Sequence, residues 1–349
     1  MMTENPLLPP VGEGEHPFAP YVRILGRGKR GSRSFTQAEA KAAMAMILRD
    51  EVEPVQLGAF LMLLRVKEET AEELAGFIEA VREAAEPPAD FSVDLDWSSY
   101  AGKRRHAPWF LFAVQLLADA GVRVFIHGAE GHSSGRVYTT DILRALGHKP
   151  AQNWSEAKAE VDTNGFCYMP LKAFSPKLAE IINLRPILGL RSPVHSLARL
   201  INPLSAPTVL QGIFHPPYAP LHQNAAALLG YRRTAVIRGE GGEIEASPDN
   251  KLRVFRTETF AQDEPLIEEQ FWPAMFARRH VKPDEISADH MQAVWRGTTH
   301  DEYGEAAVQL TTALALYETG RCSSQEAALQ RAGELWEKRN KAQFGALPG

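Results

Sequence analysis

Two different patterns of hydrophobic positions divide the chain. Between about residues 20 and 85, apolar residues recur every three or four positions, which is typical of helices with one buried face. Thr36 and Thr70 are each followed three positions later by a glutamate, the form of a capping box at a helix start. Pro54 suits the first turn of a helix between them. This pattern predicts a small all-helical lobe over residues 20–88.

From residue 89 onward, short apolar runs alternate with helical patterns. The predicted strands are 122–126, 161–169, 208–214, 234–238 and 252–255. The predicted helices are 108–120, one ending at Gly147, 176–183, 219–229, 306–317 and 324–338. This alternation favours an α/β lobe with a mainly parallel sheet flanked by helices. We expect that lobe to comprise residues 89–175 and 204–349, with 176–203 returning to the helical lobe.

Composition narrows the class of protein. The 349 residues include 38 lysines and arginines against 43 acids, and two cysteines, Cys167 and Cys322. These values exclude a disordered chain and a disulfide scaffold, and they suggest a reducing, cytoplasmic setting. Residues 1–19 read as an acidic, proline-rich arm without the features of a signal peptide. The longest apolar stretch, 109–118, is too short to span a bilayer, so no membrane association is expected.

The segment from Arg23 to Arg33 carries five cations, three glycines and no acid, and we predict a loop. Such a loop could follow the phosphates of a nucleic acid, cover a small-molecule cleft, or simply be solvated. The solvated loop is the commonest outcome for charged loops. The candidate phosphate contacts here are Arg27, Lys29, Arg30 and Arg33.

A second basic region is defined by a lack of acids. From Ile181 to Gly239 there are six arginines and neither Asp nor Glu, whereas the whole chain has a formal charge of −5. Segregated charge of this kind steers polyanions toward a surface. Arg191 and Arg199 are the candidates for nucleic-acid contact in this stretch. The alternative is that some of its arginines pair with carboxylates from distant segments.

Several stretches, in order, resemble anthranilate phosphoribosyltransferase and its nucleoside-phosphorylase relatives. They are 59–76, His127-Gly128 with Ser133-Ser134 and 141–147, Leu188-Gly-Leu-Arg-Ser192, and Leu200-Ile-Asn-Pro203. The resemblance covers roughly residues 20–260. It implies a class IV phosphoribosyltransferase fold and a homodimer formed through the helical lobes. It also implies a phosphate and substrate site, vestigial in this chain, at Gly102, His127, Gly128, Ser133, Ser134 and Arg191, with Arg191 meeting the carboxylate of an aromatic acceptor.

The departures from that family concern its diphosphate site. The glycine-rich phosphate loop, Gly-Thr-Gly-Gly-Asp, is replaced by Ser99-Tyr-Ala-Gly-Lys-Arg-Arg105, which keeps one glycine, Gly102. The adjacent Asp-Glu pair that holds magnesium becomes Ile244 and Glu245. Close backbone donors and hard oxygen ligands are what a magnesium diphosphate needs, and we expect most of both to be lost. Glu243 and Glu245 are weak candidates for a cation, and a solvated loop is the favoured interpretation.

Two hypotheses follow. These changes resemble the YbiB-type subfamily, which implies a dimer that binds nucleic acid, most simply DNA, through phosphates and with little sequence preference. Lys103, Arg104 and Arg105, just before Pro108 and a helix, would add to the basic residues named above. Tyr100, Trp109 and Tyr138 could stack on bases, although a buried core position is the default for Trp109. The alternative is a phosphoribosyltransferase that joins anthranilate or a related aromatic acceptor to phosphoribosyl diphosphate, and magnesium is expected in that case alone.

Overall fold

The computed structural model describes residues 9–28, 30–131, 135–260, 263–283, 285–342 and 344. Lys29, Ser133 and Ser134 lie outside the described residues. The helices are α1 (Ala19–Gly26), α2 (Gln37–Leu48), α3 (Pro54–Lys67), α4 (Ala71–Ala85), α5 (Phe110–Asp119), α6 (Thr139–Ala145), α7 (Trp154–Asn164), α8 (Leu171–Phe174), α9 (Pro176–Asn183), α10 (Arg185–Leu188), α11 (Val194–Leu197), α12 (Ala219–Leu228), α13 (Ala288–Arg296), α14 (Glu302–Glu318) and α15 (Gln325–Lys338). The strands are β1 (Leu95–Ser99), β2 (Val124–Gly128), β3 (Phe166–Pro170), β4 (Thr208–Ile213), β5 (Arg233–Arg238), β6 (Leu252–Glu258) and β7 (Leu266–Trp272).

The helical lobe is built from α1 to α4, and the periodicity predicts the last three of these helices. The hydroxyls of Thr36 and Thr70 accept hydrogen bonds from the backbone N–H groups three residues on, so both predicted capping boxes are confirmed. Helices α2 and α4 pack closely because Gly76 has no side chain. A Cβ at that position would lie 2.1 Å from the carbonyl oxygen of Gln37.

The sheet is mixed and mostly parallel, which confirms the predicted fold class. Its seven strands run in the order β3-β2-β1-β4-β5-β6-β7. The pairs among β1 to β5 are parallel, and β6 and β7 are added antiparallel at one edge. A parallel sheet places the carboxyl ends of β1, β2, β4 and β5 at the same edge, where the loops that follow them can form one site.

Both faces of the sheet are covered. Val124 and Ile126 of β2 point into a core shared with α5, α14 and α15. Phe125, between them, points to the opposite face and packs in the core that includes the helical lobe. Helix α9 packs on α2, and α11 and α12 pack on α4, so the chain after residue 175 contacts the helical lobe again.

Besides α1, the unpredicted elements are strands β1 and β7 and helices α7, α8, α10, α11 and α13. Strand β1 is fully buried although its sequence, LDWSS, includes polar residues; Asp96 is hydrogen-bonded inside the fold by His127. In α7, charged and polar residues separate the apolar ones, and in β7 two glutamates interrupt the apolar run. The predicted strand 161–169 begins inside α7, so only its second part is a strand, β3. The basic segment begins in α1 rather than in a loop, since Arg23 lies in the last turn of that helix and Gly26 ends it.

No helix within the described ranges is both long enough and apolar enough to cross a membrane.

Candidate functional site

The site lies where two loops meet at the carboxyl ends of the strands. One loop, residues 99–106, follows β1; the other, residues 239–245, follows β5. Glycines allow the close approach of the second loop. A Cβ on Gly239 would lie 1.7 Å from the carbonyl oxygen of Glu243, and a Cβ on Gly212 of β4 would lie 2.4 Å from that of Gly242. We call these segments the phosphate-type loop and the acidic loop.

Glu243 occupies the centre of the phosphate-type loop. Its carboxylate accepts hydrogen bonds from the backbone N–H groups of Ala101, at 2.5 Å, and Gly102, at 2.7 Å. The hydroxyl of Ser99 donates to its other oxygen at 2.7 Å. Gly102 has a φ of +67°, a left-handed conformation that suits glycine and helps both N–H groups point the same way. The Glu243 side chain is fully buried.

Glu240 occupies the next part of the same loop. Its carboxylate accepts from three consecutive backbone N–H groups, those of Arg104, Arg105 and His106, at 3.2, 2.6 and 3.2 Å. Although burial alone would raise its pKa, Lys103 and these donors hold the pKa of Glu240 below its ordinary value. The loop therefore forms two adjacent oxyanion cradles, and the acidic loop fills both.

A buried ion pair fastens the two loops behind these cradles. Lys103 Nζ lies 2.5 Å from Glu245 Oε1 and 3.4 Å from Glu240 Oε2, and the lysine side chain is 1% exposed. The other Glu245 oxygen accepts from the Phe110 N–H at 2.9 Å. Burial by itself lowers the pKa of Lys103, but the two carboxylates raise it above the ordinary lysine value, so the ammonium stays charged.

These contacts correct two predictions. The close backbone donors of the phosphate loop are present rather than lost, because Ala101 and Gly102 still converge on one oxygen. Glu243 and Glu245 are buried, not part of a solvated loop, because each carboxylate is satisfied by donors of the other loop.

The carboxylates do not form a magnesium site as they are arranged. Both oxygens of Glu245, the predicted ligand, are taken by Lys103 and the Phe110 N–H. Among the described residues, no group of three or more His, Cys, Asp or Glu side chains is placed to hold a metal ion.

The second part of the site is a cavity of about 170 Å³ beside the acidic loop. It lies between the C-terminal end of α3, the segment around α11 and the end of β4. Its described lining includes one carboxylate, Glu69, and six arginines and histidines, which are Arg65, Arg191, Arg199, His195, His215 and His222. We call this cavity the acceptor pocket.

Arg191 is half-buried in the wall of the acceptor pocket. Burial and the nearby guanidinium groups of Arg136 and Arg185 lower its pKa, so three arginines share this region. Arg136 also donates to the carbonyl oxygens of Ala101 and Gly102, at 2.9 and 3.1 Å. It therefore joins the phosphate-type loop to the positive side of the pocket.

A strained backbone position borders the same pocket. Glu68 has φ 65° and ψ 139°, a conformation that non-glycine residues rarely adopt. It directly precedes Glu69, whose side chain is buried and whose pKa burial raises above the ordinary value. The strain is stored where α3 ends and the pocket lining begins.

The phosphate-type loop is supported from behind by a histidine cluster. The His106 ring stacks on Tyr303 with centroids 4.0 Å apart, and Tyr303 in turn meets the His280 ring. His280 Nδ1 lies 2.6 Å from Asp249 and Nε2 lies 2.9 Å from Glu302. The hydrogen bonds to these carboxylates raise the pKa of His280.

The structure separates the predicted nucleic-acid contacts into two groups. Arg27, Arg30, Arg104 and Arg105 are exposed. Arg33 forms a bidentate pair with Glu39, at 2.6 and 2.7 Å.

Two of the other predicted contacts need correction, because their charged groups lie inside the fold. Lys103 is held by the acidic loop. Arg199 is buried and donates to the carbonyl oxygens of Gly212 and Gly242.

The remaining predicted residues have structural contacts. His127 is fully buried and lies between the Tyr100 hydroxyl, at 2.7 Å, and Asp96, at 3.1 Å. Gly128 allows β2 to approach Ser99, since a Cβ there would lie 2.0 Å from its carbonyl oxygen. Tyr100, Trp109 and Tyr138 are all buried, so none presents a ring face for base stacking.

Three important residues were missed by sequence reasoning: Glu240 and Glu243 as occupants of the cradles, and Arg136. A signal for the first two was available. The glycine-rich acidic loop and the basic Lys103-Arg-Arg105 segment carry opposite charges, and the resemblance aligns both with one diphosphate site. Arg136 gave no comparable signal.

Comparison with known proteins matches both lobes. The helical bundle domain of a glycosyl transferase family matches residues 20–85, and the a/b domain of that family matches residues 111–339. An anthranilate phosphoribosyltransferase of Stenotrophomonas maltophilia is 31% identical over 83% of this chain and 85% of its own length. The uncharacterized protein YbiB of Escherichia coli is 30% identical over 65% of this chain and 72% of its own.

Solved structures show the same fold. Anthranilate phosphoribosyltransferase from Thermus thermophilus superposes with a TM-score of 0.69 at 24% identity, covering 90% of this chain and 94% of its own. The Saccharomyces cerevisiae enzyme, in complex with PRPP and Mg, gives 0.75 at 18% identity, covering 93% and 94%. At these identities the two structures show that the fold is shared.

Proposed function

Because the chain belongs to this glycosyl transferase family and is anthranilate phosphoribosyltransferase-like in both lobes, we propose that it catalyses phosphoribosyl transfer to a small anionic acceptor. One observation carries the proposal. The N–H groups of Ala101 and Gly102 converge on a single oxyanion, beside a cationic pocket that contains Arg191. Those two features suit a leaving diphosphate and an acceptor carboxylate, respectively.

The reaction requires positioning more than covalent help from the protein. An acceptor nitrogen attacks the anomeric carbon of phosphoribosyl diphosphate, the bond from that carbon to the diphosphate oxygen breaks, and the nitrogen loses a proton to water. The electron pair of the broken bond leaves with the diphosphate. Fixed N–H donors that receive this charge lower the barrier, and a guanidinium that holds the acceptor keeps the nitrogen aligned.

The test is a transfer assay with a panel of acceptors. The purified protein is incubated with phosphoribosyl diphosphate, magnesium chloride and anthranilate or its positional isomers, and diphosphate release is measured. We expect release that depends on the acceptor and falls at least about tenfold in Arg191→Ala. Folded protein that releases no diphosphate with any acceptor would contradict the proposal.

Nucleic-acid binding is a second candidate, favoured by the exposure of Arg27, Arg30, Arg104 and Arg105. Contacts to phosphates by such groups release counterions, so affinity falls steeply as salt rises. A homodimer formed through the helical lobes would present two copies of this set, and self-association remains a prediction.

Fluorescence anisotropy with labelled single- and double-stranded DNA, at several salt concentrations, tests this candidate. Arg104→Ala/Arg105→Ala is expected to weaken binding and to reduce the salt slope by about one per lost contact. The matched control is Arg296→Ala/Arg331→Ala, which removes two exposed arginines from α13 and α15. Equal effects of the two double variants, or binding that is insensitive to salt, would exclude the candidate.

A further inference from the structure

We infer that the phosphate-type loop is an oxyanion site held closed by the protein's own carboxylates, so that a diphosphate binds by displacing Glu243. This inference rests on the proposed function and adds how its phosphate site is controlled. The ligand class is a diphosphate or a phosphate ester, since two cradles lie side by side and each holds one carboxylate.

The hydrogen-bond donors identify the occupant as a ligand mimic. A carboxylate oxygen that accepts from two backbone N–H groups, while a hydroxyl binds the second oxygen, reproduces how such loops hold a phosphate. An added anion would have to compete for the same donors. While Glu243 is in place, the two charges would also repel each other across the low-dielectric interior.

The backbone around Glu243 is fixed, so opening is a side-chain movement. Arg199 donates to the carbonyl oxygens of Gly212 and Gly242, and the Gly239 and Gly212 contacts leave no room for the acidic loop to shift inward. Arg199 is buried beside this loop; burial lowers its pKa, and the nearby charge of Glu243 opposes that shift. Glu240 closes the neighbouring cradle in the same way.

Isothermal titration of pyrophosphate into the full chain tests the inference. Glu243→Gln is the main variant because it keeps the size of the side chain while removing its negative charge. Glu243→Ala empties the cradle. We expect both to bind pyrophosphate at least about tenfold more tightly than the wild type. Asp90→Asn, which removes one negative charge from an exposed side chain, is expected to leave affinity unchanged.

Thermal unfolding provides a second measurement. Glu243→Ala leaves the buried N–H groups of Ala101 and Gly102 without their acceptor, so it is expected to melt at a lower temperature than the wild type. Pyrophosphate is expected to raise the melting temperature of the variant more than that of the wild type, because it takes the place of the lost carboxylate. If the alanine variant does not fold, the titration of Glu243→Gln alone decides.

The outcomes separate this inference from the proposed function. If Glu243→Gln binds pyrophosphate more tightly but no phosphoribosyl transfer is detected, the result supports Glu243 as the internal occupant and contradicts the proposed enzymatic function. If the wild type catalyses transfer and the two proteins bind pyrophosphate equally, the result overturns the inference and supports the proposed function. Folded Glu243→Gln that binds no pyrophosphate also overturns it.

Discussion

The phosphate-type loop and the acceptor pocket differ in how their charges are compensated. In the phosphate-type loop, backbone N–H groups and Lys103 face three carboxylates from the acidic loop, and the donors are satisfied within the fold. In the acceptor pocket, arginines and histidines outnumber Glu69, the one carboxylate of the described lining, and the like charges of Arg136 and Arg185 lie near Arg191. The phosphate-type loop is stabilised by its own charges, whereas the acceptor pocket should gain stability if the proposed anionic acceptor binds there. We therefore expect mutations of the Lys103 ion pair to change stability most and mutations of the acceptor pocket to change acceptor binding most.

Removing Lys103 should have the largest effect on stability. Lys103→Met leaves Glu245 buried without its cation, and we expect the free energy of unfolding to fall by about 3–5 kcal/mol. Guanidinium unfolding measures this. Arg104→Met, at the exposed neighbouring position, should change stability by less than about 0.5 kcal/mol. Lys103→Met/Glu245→Gln should recover part of the loss; a single variant as stable as the wild type would show that the pair is not what fastens the loops.

Removing Arg191 should affect binding rather than folding. In Arg191→Ala the affinity for anthranilate is expected to fall about tenfold or more, because a charged hydrogen bond to the carboxylate is lost. The melting temperature should change less than in Lys103→Met, since the Arg191 side chain is half-buried whereas that of Lys103 is buried. Titration calorimetry and thermal melting measure the two quantities, with Arg296→Ala as the control. A large loss of stability without a change in affinity would reverse the comparison.

Glu68→Gly should stabilise the protein. The φ of 65° strains a glutamate but not a glycine, and after the entropic cost of glycine we expect a gain of about 1 kcal/mol. Glu83→Gly, in the last turn of α4, is the control for the same replacement at an ordinary helical position and should lose about 1 kcal/mol. Urea unfolding of both compares them directly. If Glu68→Gly is destabilised like the control, the strain at the edge of the acceptor pocket is not real.

The smallest expected effect concerns the histidine cluster behind the phosphate-type loop. Because Asp249 and Glu302 raise the pKa of His280, its contribution to stability is fully present below about pH 6.5 and is lost as pH rises through its folded pKa. The melting temperature of His280→Gln should therefore fall below that of the wild type by more at pH 6 than at pH 9. A difference that does not change with pH would show that the ring acts by packing alone.

The sequence predicted the architecture better than the chemistry of the site. Threonine caps and periodic apolar positions predict helices α2 and α4, and both signals come from residues close together in the sequence. The state of Glu243 depends on donors more than 140 positions away in the chain, and no local pattern reports such a contact. Spacing also cannot distinguish a buried, paired cation such as Lys103 from an exposed one such as Arg104, because they are neighbours in sequence. Their surroundings differ because one side chain points at the acidic loop and the other at solvent.

The close packing of Gly239 and Gly212 has a consequence for how this site can vary. In a library that randomises the acidic loop and Gly212 of β4, the two glycine positions should tolerate no side chain, because a Cβ would overlap a backbone carbonyl. Glu240 and Glu243 should tolerate exchange at a cost in stability, since their carboxylates are hydrogen-bonded to N–H groups of the phosphate-type loop. The backbone of the acidic loop is therefore expected to keep its position while one acidic side chain is replaced at a time. The ligand preference of the site can then change over successive substitutions without rebuilding the fold.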